Sequence, residues 1–381
     1  MPLTAIRIRP LVLVALLAVL QGCASHPGPA FSGGIPTRVL LDGSVFSIAQ
    51  GEQPPLPELL EVDDEMRDFL ASRVDLEATP LDKIRRILRG ILDDGLRMEY
   101  ENLQTLSAPE AFAARAGNCM SFTNLFIALA REAGLRVRYQ EVMLPPNWTD
   151  EETTWLYNLH VNAVVDLPGS ASQVVDFNLE DYDSSYPRRL LPDSAAEARY
   201  HSNMGVYWMT RQEPRRSFLH FRRAIELAPD TGHFWTNLGT LFRREGHIAH
   251  AEAALRKGVR RDGEAVAMSN LAKLYVRYDR PELAAWYEDR VRTFRRKNPY
   301  YLYHLARQSY AAGDARSAKT HVTDAIRRHG GDRRFHDLLA MAELELGNAS
   351  AARLSLQRAL ALAEAPQRES YRNKLEQLTV Q

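Results

Sequence analysis

Apolar and polar positions alternate with changing period along the chain. Leu11 to Leu20 is an unbroken apolar run behind Arg7 and Arg9. Ten such residues make about 15 Å of helix, half of a bilayer core, so the run predicts a secretion signal rather than a membrane span. Ile84, Ile87, Leu88, Ile91 and Leu92 recur at helical spacing and predict a helix over 81–99. Ser107 to Glu110 predicts a short capped helix with Pro109 in its first turn. Gly117-Asn118 is a turn signal. Leu125, Phe126, Leu129 and Ala130 then keep helical spacing until Gly134. Val137 to Val142 alternates as a strand, and Leu159 to Val165 reads as a second one. Pro168-Gly169-Ser170 turns the chain, and Gln173 to Asn178 returns.

Beyond residue 198 the helical pattern repeats itself. Met204-Gly205, Leu238-Gly239, Leu271-Ala272, Leu305-Ala306 and Leu339-Ala340 follow one another at steps of 34, 33, 34 and 34. Trp208, Phe242 and Tyr275 recur in the same phase, as do the turn residues Gly246, Gly313 and Gly347 and the small Ala251, Ala318 and Ala352. Ala224, Ala325 and Ala359 repeat further on, and Pro229 closes the first unit. This resembles the tetratricopeptide repeat (TPR): five copies over 196–366, with a capping helix in 367–381. Units one and three lack the turn glycine, and the third is a poor match. The resemblance implies that stacked units bury faces that one unit cannot bury alone, and that their first helices line a groove. In this register the groove carries Arg199, Arg243, Arg244, Lys273, Arg277 and Arg307, with Tyr300, Tyr303 and Tyr310. Arg243, Lys273, Arg277 and Arg307 are the candidate partner-binding residues, suited to an acidic peptide or a C-terminal carboxylate. A solvated basic face, or docking onto the chain's own acidic half, are the competing readings.

Length and charge sharpen that picture. The 381 residues suit two domains, and 45% hydrophobic with 25% charged residues argues against a largely disordered chain. The zero net charge hides an asymmetry: 16 basic and 28 acidic residues in 1–197 give −12, and 32 against 20 in the remainder give +12. Two regions of opposite sign have different partners, or each other.

The apolar run ends Leu20-Gln21-Gly22-Cys23, which resembles a bacterial lipobox. The resemblance implies a signal peptide over 1–22, cleavage before Cys23, and lipid on that cysteine. Several acyl chains anchor a protein stably. Ala at position 24 implies the outer membrane of a Gram-negative-type envelope, facing the periplasm. Residues 23–45 are expected to be the lipidated end and a flexible tether, and 46–195 a folded domain.

Cys119, the other cysteine, is placed at the first turn of the predicted buried helix. A helix N-terminus favours a thiolate, the nucleophilic form, and its N–H groups can hold an oxyanion. His160 follows 41 residues later on a strand, and Asp176 16 residues beyond that. Asp166 lies about 20 Å along the strand from His160 and cannot reach it. Cys119, His160 and Asp176 in this order, on helix start, strand and next strand, resemble the transglutaminase-like superfamily, relatives of papain-type cysteine peptidases, over roughly 75–185. The matching pieces are Gly117-Asn118-Cys119 leading into Leu125 to Leu135, His160 to Val165, and Val174-Val175-Asp176. The resemblance implies an α+β transglutaminase-like, papain-like domain followed by an all-α solenoid. It implies Cys119 as nucleophile, His160 as base and then acid, and Asp176 as the group that orients His160. A symmetric hairpin would set Asp176 nearer Ala163 than His160, so the match calls for a bulge or an asymmetric loop; Asn178 is the fallback. Tyr100, Asn102 and Gln104 are candidates to complete an oxyanion hole. The loop 143–158, with Trp148 and Trp155, is a candidate cleft wall.

The histidines show no metal-ligand spacing, and no glycine-rich phosphate loop is present, so neither metal nor cofactor is expected. Export argues against nucleic acid as a partner. The implied activity is attack on amide bonds of protein or peptide substrates, by a cysteine peptidase, amidase or transglutaminase-type acyl transferase, with the repeats recruiting a protein partner. A catalytically inactive scaffold for envelope assembly is the alternative.

Overall fold

Helices and strands form where their local chemistry closes their ends. The computed structural model describes residues 34–55, 58–101, 104–143, 159–177, 186–262, 265–363 and 365–378. The signal peptide, Cys23, and the candidates Asn102, Asn178, Trp148 and Trp155 lie outside the described residues.

Residues Ile35–Gln381 make one unit. It opens with α1 (Thr37–Leu40) and a 3-10 turn at Ser44–Phe46. This order differs from the tether expected through residue 45. Leu40, Phe46 and Ile48 are buried against Phe218, Phe221, Trp235 and Phe242 of the C-terminal half. Arg215 donates to the carbonyls of Phe46 and Ser47, and Arg222 to that of Glu52. Burial of one aromatic of this kind is worth about 1.5–3 kcal/mol, enough to hold a short segment that has little secondary structure of its own.

The chain then builds the N-terminal domain. Helices α2 (Asp64–Ala71) and α3 (Pro80–Leu92) come first. Thr79 caps α3 by accepting from Asp82 N, and Pro80 sits where its missing N–H costs nothing. Strand β1 (Glu99–Tyr100) pairs in parallel with β2 (Ala116–Gly117), on either side of α4 (Ala108–Ala114). Ser107 and Glu110 form the capping box on α4. Helix α5 (Cys119–Glu132) is buried from Met120 to Ala130, as a central core helix must be. It packs on an antiparallel sheet of β3 (Val137–Met143), β4 (Leu159–Asp166), β5 (Ser172–Val175) and β6 (Arg188–Leu191), in the order β5-β4-β3-β6. Val161, Ala163, Val165 and Val175 join Leu125, Phe126 and Leu129 in the core. By strand alternation, His160 and Asn162 belong to the opposite set.

The solenoid follows as five helix pairs. They are α6 (Asp193–Thr210) with α7 (Pro214–Leu227), α8 (Gly232–Arg244) with α9 (Ile248–Asp262), and α10 (Ala265–Arg277) with α11 (Pro281–Lys297). Then come α12 (Pro299–Ala311) with α13 (Ala315–Arg328), α14 (Arg333–Glu345) with α15 (Ala349–Leu362), and the closing helix α16 (Ala365–Gln377). The small residues of the repeat mark close approaches: a Cβ on Gly205 would lie 2.4 Å from the Phe221 ring, and one on Gly239 2.7 Å from Leu255. Gly246, Gly313 and Gly347 turn with positive φ, and Gln212 and Asp279 adopt the same conformation in the two units that lack the glycine. First helices of neighbouring units touch, α6 with α8, α8 with α10 and α12 with α14, and so share a face.

No linker separates domain from solenoid. Helix α6 starts at Asp193 and serves both: Ala196, Tyr200 and Met204 lie in the domain core, Ala198 in that of the first repeats. Arg199 of α6 is buried and paired with the buried Glu141 of β3, which also holds Arg189. This corrects the expectation that Arg199 is a groove cation.

Candidate active site

Asn118 is the N-cap of α5, and its Oδ1 accepts from the N–H groups of Met120 and Ser121 at 3.1 Å. That leaves the N–H of Cys119 with no acceptor among the described residues. Gly117 is required beside it, because a Cβ there would lie 2.4 Å from Ser121 Cβ. The Asn118 amide donates to Thr105 Oγ1 at 2.7 Å, and Thr105 also accepts from Asn203 of α6 at 3.1 Å. The first helix of the solenoid therefore braces the turn that carries Cys119. Ser121 and Asn124 pin the backbone of Leu106 to α5 at 2.8 and 2.9 Å.

Thr123 joins α5 to the histidine strand. Its hydroxyl lies 2.8 Å from the Cys119 carbonyl and 3.1 Å from that of Val161. His160, the residue before Val161, is thereby held at the first turn of α5, where Cys119 is a close neighbour of its side chain. Its Nε2 faces the Asp176 carboxylate at 2.6 and 2.8 Å, which leaves Nδ1 for the thiol. Both His160 and Asp176 side chains are 3% exposed. Cys119 is half-buried and so open to a reagent.

The sheet register explains how Asp176 reaches. Val175 opposes Ala163, so Asp176 falls beside Asn162, and His160 is its diagonal neighbour on the same face. Neither a bulge nor an asymmetric loop is needed. The Asn162 amide donates to Asp176 Oδ2 at 2.8 Å and fixes the carboxylate's second oxygen. Asn162, fully buried, is a positioning residue that sequence reasoning missed; its one signal is its place two residues after His160 on an alternating strand.

The electrostatics follow from these contacts. Burial is the largest influence on His160 and disfavours its charge. The hydrogen bond to Asp176, the neighbouring Cys119 sulfur and the charge of the Asp176 carboxylate outweigh burial and push the imidazolium up to about 9. Among the other candidates, Asp166 pairs with Arg138, away from His160. Tyr100 in β1 is exposed and Gln104 half-buried.

A helix-borne thiol, a strand-borne imidazole and a carboxylate just past the end of the adjoining strand thus lie in one site, the last two joined by hydrogen bonds. Residues 68–177 match the transglutaminase-like superfamily. The transglutaminase-like domain so defined spans α2 to the residue after Asp176 and contains all three groups. No curated protein matches the chain. Solved structures similar to this chain include MamA, at 17% identity over 46% of this chain and 95% of that one, with a TM-score of 0.25. YrrB, a TPR protein with an unusual peptide-binding site, is 15% identical over 47% and 92% with a TM-score of 0.24. PilF of Pseudomonas aeruginosa is 15% identical over 49% and 94%, at 0.27. The repeat architecture rests on the chain's own helix pairs.

On the solenoid, Arg243 is half-buried, and Lys273, Arg277 and Arg307 are exposed. Among the described residues none of these four forms an ion pair. Burial, followed by the repulsion of Arg244 and Arg277, holds Arg243 below its usual pKa. Adjacent cations without a counter-charge are an anion-receptive arrangement.

Proposed function

We propose that this protein is a thiol enzyme of a bacterial envelope, held by lipid on Cys23 to the outer membrane, acting on amide bonds of a protein that its repeats recruit. The series Cys119, His160 and Asp176, with the imidazole hydrogen-bonded to the carboxylate and beside the thiol, carries the reading. Cys119 Sγ attacks the amide carbonyl and the C=O π pair moves onto oxygen, where the N-terminal turn of α5 and the Cys119 N–H stabilise it. Collapse of this intermediate breaks the C–N bond while the His160 imidazolium protonates the departing amine, leaving a thioester on Cys119. Water, deprotonated by His160, then releases a carboxylic acid and restores the thiol. Asp176 keeps Nε2 protonated and the ring aimed at sulfur. A lysine amine in place of water would form a cross-link; we favour hydrolysis.

The test is alkylation of the full chain in detergent by iodoacetamide at pH 7, with Cys119→Ser as blank. His160→Ala is expected to slow alkylation at least tenfold. An equal rate in a folded His160→Ala variant would overturn the activated pair. Charge reversal at Arg243, Lys273 and Arg277 is expected to weaken capture of an acidic peptide at least tenfold and leave the alkylation rate unchanged. Equal capture would remove those cations from the groove's function.

A further inference from the structure

Tyr186 lies just ahead of β6, outside the domain core, yet it is only 5% exposed. Among the described residues, solenoid side chains cover it. The Tyr300 ring of α12 meets it edge-on, with centroids 6.0 Å apart. The guanidinium of Arg334, on α14, lies over its face at 4.7 Å, and Arg334 Nη1 donates to its hydroxyl. A cation over a tyrosine face combined with a hydrogen bond to its oxygen recognises the whole side chain, apolar body and polar tip together.

The receiving side is built rather than incidental. Arg334 is held by Asp332, which is fully buried, accepts from Nε at 2.9 Å and from Nη2, and also caps α14. Phe335 packs against Tyr300 and Tyr303, at 5.6 and 4.9 Å. The result is an aromatic floor with a clamped guanidinium above it, on the first helices of the last two units. Arg307 lies on α12 itself, and Arg243, Lys273 and Arg277 on first helices of earlier units. The ten residues ending at Pro187 read Asn-Leu-Glu-Asp-Tyr-Asp-Ser-Ser-Tyr-Pro: three carboxylates, then Tyr186. The face on which Tyr186 sits carries those cations, so a tyrosine preceded by carboxylates is the class of sequence that suits it.

We propose that the pocket closed by Arg334 is a tyrosine-binding site, that Tyr186 fills it in cis, and that the recruited partner presents a tyrosine next to acidic residues and takes Tyr186's place. This deepens the reading of the repeats as a recruiting surface and rests on it. A cis occupant lowers apparent affinity for any competitor by the fraction of molecules whose pocket is open, so the contact acts as a threshold for recruitment.

The probe is a fluorescent peptide of the sequence of residues 178–187, followed by anisotropy on the full chain in detergent. Tyr186→Ala is expected to bind it at least tenfold more tightly than the unaltered chain. Adding Arg334→Ala should remove the gain, as should a peptide with alanine in place of its second tyrosine. Equal affinity of Tyr186→Ala and the unaltered chain, both folded by circular dichroism, overturns the proposal, and so does indifference to Arg334. If Tyr186→Ala does not fold, Tyr186→Phe decides: it removes only the hydroxyl contact and should tighten binding two- to fivefold, no change being the overturning result. The two readings fail separately: the peptide gain on Tyr186→Ala together with an alkylation rate indifferent to His160 would sink the enzyme and leave the pocket, and an activated thiol without that gain would do the opposite.

Discussion

Two sites bury histidines with different outcomes, one cationic and one neutral. In the transglutaminase-like domain His160 is 4% exposed and is pushed up to about 9. In the first repeat His201 and His220 are 0% and 5% exposed, with their Nδ1 atoms 2.9 Å apart. Burial, then the charge of His220 and of Arg223, pushes His201 down to about 3; burial pushes His220 down to about 4. Desolvation acts the same way in both places. The neighbours decide: a carboxylate at 2.6 Å makes His160 a cation, whereas the carboxylate nearest His201, Glu197 at 3.8 Å, is already paired with Arg223, and a second imidazole sharing one proton in a hydrogen bond keeps His201 neutral. The first arrangement suits the proposed acid; the second is a neutral joint between α6 and α7.

The sharpest way to break this contrast is to neutralise the carboxylate. Asp176→Asn leaves His160 buried without its anion, so its pKa should fall from about 9 to below the ordinary value, toward the behaviour of His201. Amide-bond activity should drop about a hundred- to ten-thousandfold. Histidine NMR titration and single-turnover kinetics read the two effects; an unchanged His160 titration would remove Asp176 from its role.

Stability against pH should then slope in opposite directions for the two sites. The raised pKa of His160 contributes stability that is full below about 6.5 and is lost as pH rises through about 9. The depressed values of His201 and His220 contribute nothing above about 6.5, but cost stability as pH falls from there through about 4, because the unfolded chain takes up the protons. A tenfold difference in proton affinity between folded and unfolded chain is worth about 1.4 kcal/mol. Urea unfolding from pH 4 to 10 checks this: His160→Ala should flatten the alkaline fall, and His220→Asn should reduce the acid one.

A smaller effect is expected behind the carboxylate. Asn162→Leu removes the amide donor on Asp176 Oδ2 and should cost about 1–3 kcal/mol of stability. It should also shift the pH profile of the alkylation rate, which a merely structural role would not move. The smallest effect lies furthest from the site. Gln212 holds a positive φ at a turn where three other units use glycine, so Gln212→Gly should raise stability by about 0.5–1 kcal/mol in the same urea assay.

Much of this protein is written locally in its sequence. The repeat phase, the helix beginning at Cys119 and the strands of His160 and Asp176 follow from periods of 3.6 and 2, from caps and from turn residues, because those depend on neighbours a few positions apart. The order of the three site residues was legible for the same reason. Their union was not: it depends on the register that sets Val175 opposite Ala163, and register is fixed by the packing of two distant strands on α5. Asn162 joined the site only through that register. The sharing of α6 between two cores, the docking of residues 37–48 on the repeats, the withdrawal of Arg199 into a pair with Glu141 and the seating of Tyr186 under Arg334 link positions up to 220 residues apart. Sequence alone placed Cys119, His160 and Asp176 in order along their elements. Tertiary structure decided which of them meet, because burial and charge compensation act between groups that no local pattern brings together.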